Sequence, residues 1–165
     1  MNTSPLRIEP FSAPHGDGVV DLILPIQQAE FGVPITLADQ PDLLDIPGFY
    51  RQGSGNFWIA LDEGTVVGSI ALLDIGDGRA ALRKMFVADS HRGAGSGVAR
   101  RLLQTLIEWC REHGIREIYL GTTEKFLAAH RFYEKHGFLQ IEKHALPATF
   151  PIVHVDTRFY ALRLA

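Results

Sequence analysis

The feature that most restricts the fold is a change of hydrophobic period after Val87. Upstream, Asn56–Leu61, Thr65–Asp74 and Ala80–Val87 are β-branched or apolar runs of strand length. They are separated by Asp62-Glu63-Gly64 and Gly76-Asp77-Gly78, and such glycine-bearing links predict three consecutive antiparallel strands. Downstream, Val98, Ala99, Leu102, Leu103, Leu106, Ile107 and Cys110 form one helical stripe that ends at His113-Gly114. Ile118–Thr123 then reads as a short strand and Leu127–His136 as a helix stopped by Gly137. Phe138–Glu142 and Val153–Leu164 read as closing strands. Ahead of the hairpins, Val19–Phe31 is amphipathic with Pro25 inside it, so a kink or break is expected there. Asp39-Gln-Pro-Asp-Leu-Leu reads as a short capped helix with Pro41 near its first turn. The order α, α, β, β, β, α, β, α, β, β implies a mixed α/β layer built on one sheet.

Composition narrows the function. At 165 residues with 46% apolar and 21% charged residues, the chain is one domain (1–165) with enough apolar sequence for a core of its own. The single Cys110 excludes an internal disulfide and a cysteine-based zinc site, and no metal is expected. The isoelectric point near 6.1 argues against nucleic acid as a partner. The longest stretch free of Asp, Glu, Lys and Arg, His144–Val155, is too short to cross a bilayer. The start of the chain lacks a basic segment leading into an apolar run, so a cytoplasmic protein is expected. The net charge of −3 conceals an asymmetry, with −9 on residues 1–78 and +6 on residues 79–165.

The junction itself carries the chemistry. Arg92-Gly93-Ala94-Gly95-Ser96-Gly97 places three alternate glycines between a strand and a helix. Glycine admits left-handed backbone and leaves N–H groups open to a ligand, and the helix start adds unpaired donors and a positive dipole end. An anion site, most naturally for phosphate, follows. No Lys follows Gly97, which excludes a nucleoside-triphosphatase loop, and Val98 stands where a dinucleotide fingerprint needs its third glycine.

The remaining pattern, Arg92-x-x-Gly95-x-Gly97, resembles the pyrophosphate loop of the GNAT N-acetyltransferases. Leu82-Arg-Lys-Met-Phe-Val87 resembles that family's fourth strand and Val98–Cys110 its third helix. Ala129-His-Arg-Phe-Tyr133-Glu-Lys-His-Gly137-Phe138 resembles its Ala-x3-Tyr-x3-Gly-Phe segment, so the likeness runs from about Phe57 to Phe138. The resemblance implies a mixed, mostly antiparallel twisted sheet with helices on both faces. It also implies acetyl-CoA as co-substrate, laid between the fourth and fifth strands. Backbone groups of Met85, Phe86 and Val87 would pair with its pantetheine arm, and those of Arg92, Gly93, Ala94, Gly95, Ser96 and Gly97 would hold its pyrophosphate.

The implied reaction is direct acetyl transfer to a primary amine, with an oxyanion donor on the Met85–Val87 strand and Tyr133 protonating the departing thiolate. Two positions depart from the family pattern. Phe126 stands where many relatives have Asn, and Arg83 and Lys84 occupy the strand on which many carry a Glu as proton relay. A base must then come from elsewhere, with Glu30, Asp74 and Glu124 as candidates, or be water. The acceptor is expected against residues 30–50, where Glu30, Phe31 and Tyr50 combine charge and aromatic surface suited to a cationic small-molecule or peptide amine. Ala145–Pro151 either walls the acceptor site or only fixes a turn. The alternative to an enzyme is a non-catalytic acyl-CoA sensor or interaction module on the same fold. Association into a homodimer is left open.

Overall fold

The computed structural model describes residues 6–93 and 95–164. A seven-stranded sheet runs in the order β1-β2-β3-β4-β5-β7-β6. Its strands are β1 (Arg7–Pro10), β2 (Asn56–Asp62), β3 (Thr65–Gly76), β4 (Arg79–Val87), β5 (Glu117–Thr122), β6 (Leu139–Ile141) and β7 (Arg158–Arg163). Every pairing is antiparallel except β4 with β5. The predicted meander is present, and Glu63 and Asp77 take the left-handed conformation that tight hairpin turns demand.

Strand alternation divides the core between two faces. Phe57, Ile59 and Leu61 point to one side, packing with Val19, Leu22 and Ile23 of α1 (Gly16–Pro25) and with Ile46 and Tyr50 of α2 (Ile46–Tyr50). Trp58 and Ala60 point to the other, under α3 (Val98–Glu112) and α4 (Leu127–Lys135). Leu102, Leu103 and Leu106 are at most 1% exposed, and each contributes about 2 kcal/mol by burial. Helices thus cover both faces, as the family resemblance implies.

Four local readings need correction. Pro25 does not break the first helix. The turn after it widens to a π-helical segment over Ile26–Glu30, closed by Phe31 N–H donating to the Ile26 carbonyl at 3.1 Å. Asp39 does not cap the next helix, because its carboxylate binds Thr36 backbone and hydroxyl, while the 3-10 turn over Pro41–Leu44 starts from Gln40. The following α2, capped by Asp45 through Gly48 N–H, was not expected, nor was β1. Finally, β7 begins at Arg158 rather than Val153. Residues 153–157 form a turn, with Asp156 N–H on the Val153 carbonyl at 2.9 Å, and Thr157 N–H on the Thr122 carbonyl restores pairing.

Two irregularities position the site. The parallel ladder between β4 and β5 covers only Arg79–Ala81 against Glu117–Tyr119, and the strands diverge beyond it. On β4 the register slips, with Phe86 opposite Ser69 but Arg83 opposite Ala71. Lys84 and Met85 therefore face one residue, Lys84 adopts φ 53°, and Ser69 Oγ donates to the Lys84 carbonyl at 2.6 Å. This is a β-bulge, which turns the side chains of the strand.

Candidate active site

The divergence opens a cleft of about 520 Å³ between β4 and β5, floored by Leu82–Val87 and Gly121–Thr123. Its length runs from the glycine loop to the turn before β7.

At the loop end, Gly93 and Gly97 have φ of 99° and 68°, so these two positions require glycine. Gly97 is the N-cap of α3 and offers no side chain to the first-turn N–H groups. No acidic residue lies in that turn; Arg100 and Arg101 do instead. Two cations at the positive end of a helix are unfavourable alone and become favourable when an anion docks there. Ser96 Oγ braces the loop on the His91 and Gly93 carbonyls. Arg92 donates to the Val87 carbonyl, forms a two-pronged ion pair with Glu30, and lies 5.7 Å from the Phe31 ring. Ala94 falls outside the described residues.

Midway, Met85, Phe86 and Val87 line the cleft. Phe126, in the place of the family's Asn, packs edge-on against Phe31 at 4.9 Å and Phe86 at 6.1 Å, making an aromatic wall where a polar contact was expected. Tyr133 also lines the cleft, only 5% exposed, wedged between Phe138 and Tyr160. Burial pushes its phenol well above its ordinary value, so it stays protonated at any working pH.

The far end contains the residues that sequence reasoning missed. Asp156 lies on the turn before β7 with its carboxylate over Gly121, where a Cβ would come within 2.4 Å of Oδ2. Burial raises its carboxyl to about 6, opposed by a backbone hydrogen bond at Val153 and by Arg83, Lys84 and His154. Lys84 points at Gln40 Oε1 (2.6 Å) and Asp42 (3.6 Å), and its side chain is 8% exposed. Burial lowers its ammonium to about 8 against the pull of Asp42. Gln27 and Gln40 exchange paired amide hydrogen bonds beneath it. Phe150 and Pro151 complete this end, so the proline-rich segment does form a wall.

Other expected residues are placed elsewhere. Tyr50 is fully buried, donating to Asp42 at 2.6 Å, and offers nothing to an acceptor. Glu30 is tied to Arg92, which holds its carboxyl below the ordinary range; Phe31 alone of that trio lines the cleft. Asp74 is occupied by Ser54 and Gly76 N–H groups, and Glu124 is exposed outside the cleft lining. Asp39, Asp42 and Asp45 are likewise bound to partners within the chain. Cys110 is buried with its thiol raised to about 12, so it supplies no thiolate. No group of metal-ligating side chains gathers among the described residues, and no described helix is long and apolar enough to cross a membrane.

A mixed sheet opened between two parallel strands, with a glycine loop and a helix start at one end of the opening, defines a class of fold. Comparison with known proteins agrees with that class. The profile of the acetyltransferase (GNAT) family matches residues 20–138, and the chain belongs to this family. A GNAT-family acetyltransferase of Staphylococcus aureus Mu50 is 36% identical and superposes with a TM-score of 0.94, over 98% of this chain and 100% of that one. N-acetylaspartate synthetase of Danio rerio is 37% identical over 64% of this chain and 39% of its own length. N-acetyltransferase 8B of Homo sapiens is 32% identical over 63% of this chain and 48% of its own. The chain spans only 39% and 48% of the length of these two curated relatives. At 14% identity, an N-acetyltransferase of Thermoplasma acidophilum in complex with coenzyme A shares the fold, with a TM-score of 0.72 over 97% of this chain and 99% of that one.

Proposed function

We propose that the protein transfers the acetyl group of acetyl-CoA to a primary amine by direct attack. The observation that carries this reading is the placement of one acid and one base along the same cleft, Tyr133 at the middle and Asp156 at the far end. The loop of Arg92–Gly97 and the start of α3 suit the pyrophosphate, and the unpaired edge of β4 over Met85–Val87 suits the pantetheine arm. Acetyl-CoA supplies an activated carbonyl whose C–S bond breaks as the C–N bond forms. Asp156 accepts the proton that the attacking nitrogen loses, a role matched to a carboxyl held near neutrality. A backbone N–H of the bulged strand around Met85–Val87 steadies the oxyanion. Tyr133 donates its proton to the thiolate.

Asp156 answers the need for a base that the family's missing strand carboxylate creates, and this favours an enzyme over a silent acyl-CoA sensor. The acidic residues of the N-terminal half leave a cationic acceptor no free carboxylate at the cleft, so the reading stops at a primary amine. Tyr133→Phe keeps the packing and removes the proton, so it is expected to lower kcat by about 100- to 10,000-fold with acetyl-CoA affinity unchanged. Thiol release at the wild-type rate in that variant would remove Tyr133 as the acid.

A further inference from the structure

At the end of the cleft away from the glycine loop, Arg83 is a charge without a partner among the described residues. Successive residues of a regular strand point to opposite faces, yet Arg83 and Lys84 both reach the segment 40–50. Lys84 meets Gln40 and Asp42, while the Arg83 guanidinium carbon lies 5.5 Å from the Phe49 ring centroid and 6.0 Å from that of Tyr50. The bulge at Lys84 is what brings the two together. Their charges are treated differently. Lys84 is offset by Asp42, just as Arg92 is by Glu30 and Arg79 by Glu117. Arg83 has no carboxylate within ion-pair distance and no hydrogen bond among the described residues. It is half-buried, lies over two aromatic rings, and lines the end of the cleft that Asp156 occupies. A guanidinium fixed in this way presents a fork of donors suited to a carboxylate.

We propose that Arg83 binds a carboxylate of the acceptor, so that the acceptor is an amino acid or a similar amine carrying a carboxylate close to its nitrogen. The inference rests on the transferase reading above and deepens it. The nitrogen lies toward Asp156 and the thioester, and the carboxylate lies toward Arg83. Such an acceptor is zwitterionic, which agrees with a site where one free cation faces one carboxylate. A polyamine or aminoglycoside would instead bring further positive charge to Arg83.

The test compares each of the common L-amino acids with its own carboxamide, which keeps the amine and side chain and deletes the charge. Thiol release from acetyl-CoA is followed for the wild-type protein, Arg83→Gln and Arg83→Lys. At least one amino acid is expected to exceed its amide in kcat/KM by roughly 10- to 100-fold, the range of charged hydrogen bonds. Arg83→Gln should raise KM for the acid far more than for the amide and so erase the preference, and Arg83→Lys should restore part of it. A merely structural arginine would lower both substrates equally. Transfer to amides and acids alike, or a preference that survives Arg83→Gln, overturns the carboxylate assignment and leaves the transferase reading standing. Absence of transfer to any member of either series, with acetyl-CoA bound, overturns both.

Discussion

Gly121→Ala tests the base without touching it. Gly121 has no left-handed backbone to lose, so alanine is conformationally acceptable and only space is at issue. The new Cβ would lie 2.4 Å from Asp156 Oδ2, 2.9 Å from its Cγ and 3.1 Å from Phe159 Cε1, whereas ordinary contact begins at 3.4 Å. The carboxylate must therefore retreat by about 1 Å, a misplacement that costs a reacting group about 100-fold in rate. That corresponds to about 2.7 kcal/mol of transition-state stabilisation. Stability should shift by no more than about 1 kcal/mol, because the strand gains from losing a glycine what the turn loses in contact. The assay is kcat/KM for thiol release in Gly121→Ala, Asp156→Asn and the double variant, with a melting curve for each. An amide at position 156 cannot accept the proton wherever the added methyl pushes it, so the double variant should match Asp156→Asn in rate and the coupling should equal the whole Gly121→Ala loss. Activity in Gly121→Ala within about 3-fold of wild type, or losses that multiply in the double variant, would refute Asp156 as the base.

Three further outcomes are expected. Gly95 is exposed, has no atom near its would-be Cβ and lacks a left-handed φ; Gly95→Glu should therefore leave the melting temperature unchanged while weakening acetyl-CoA by at least about 100-fold in calorimetry, and undiminished affinity would sink the phosphate-loop assignment. Asp156→Asn should stabilise the fold near neutrality: the carboxyl titrates at about 6 when folded against 3.8 when free, so the native state gains from the proton at low pH and loses that advantage as pH rises through 6. The gain, about 3 kcal/mol at pH ~7.5 and well under half of that at pH ~4, is read from urea midpoints, and equal gains at both pH values would contradict the raised carboxyl. Lys84→Met strands the Asp42 carboxylate in the core and should cost about 3–5 kcal/mol, most of it recovered when Asp42→Asn is added; a double variant no more stable than the single would show that the ion pair is not what Lys84 supplies.

What the sequence made legible was local. The glycine loop, the stripe of α3 and the Tyr133 segment are defined by residues a few positions apart, and each stands where its pattern places it. The hairpins follow from glycine and aspartate at the turns. Asp156 was hidden because it lay inside a run that alternates like a strand; only the pairing of Thr157 with Thr122, a contact between distant segments, ends the turn and aims the carboxylate at Gly121. Lys84 and Arg83 were visible as residues but not as neighbours on one face, since a bulge leaves no mark in composition. Tyr50 misled for a related reason. Its aromatic ring and the nearby carboxylates suggested a cation site, yet Asp42 takes its hydroxyl into the core, where Lys84 balances the charge. β1 is only four residues long with Pro10 at its end, too short for a periodic signal.

The opening between β4 and β5 leaves two unpaired strand borders inside the molecule, joined only at the foot by Arg79–Ala81 and Glu117–Tyr119. Such borders ordinarily invite any extended polypeptide to zip in, which is the route to unwanted self-assembly. Here the kink at Lys84 breaks the regular alternation of donors and acceptors after the first residues of that border. A foreign chain would find its register lost within a few residues, whereas a ligand with only two well-separated amides never needs a long one. The same irregularity that aims Arg83 therefore guards the gap against becoming an adhesive seam.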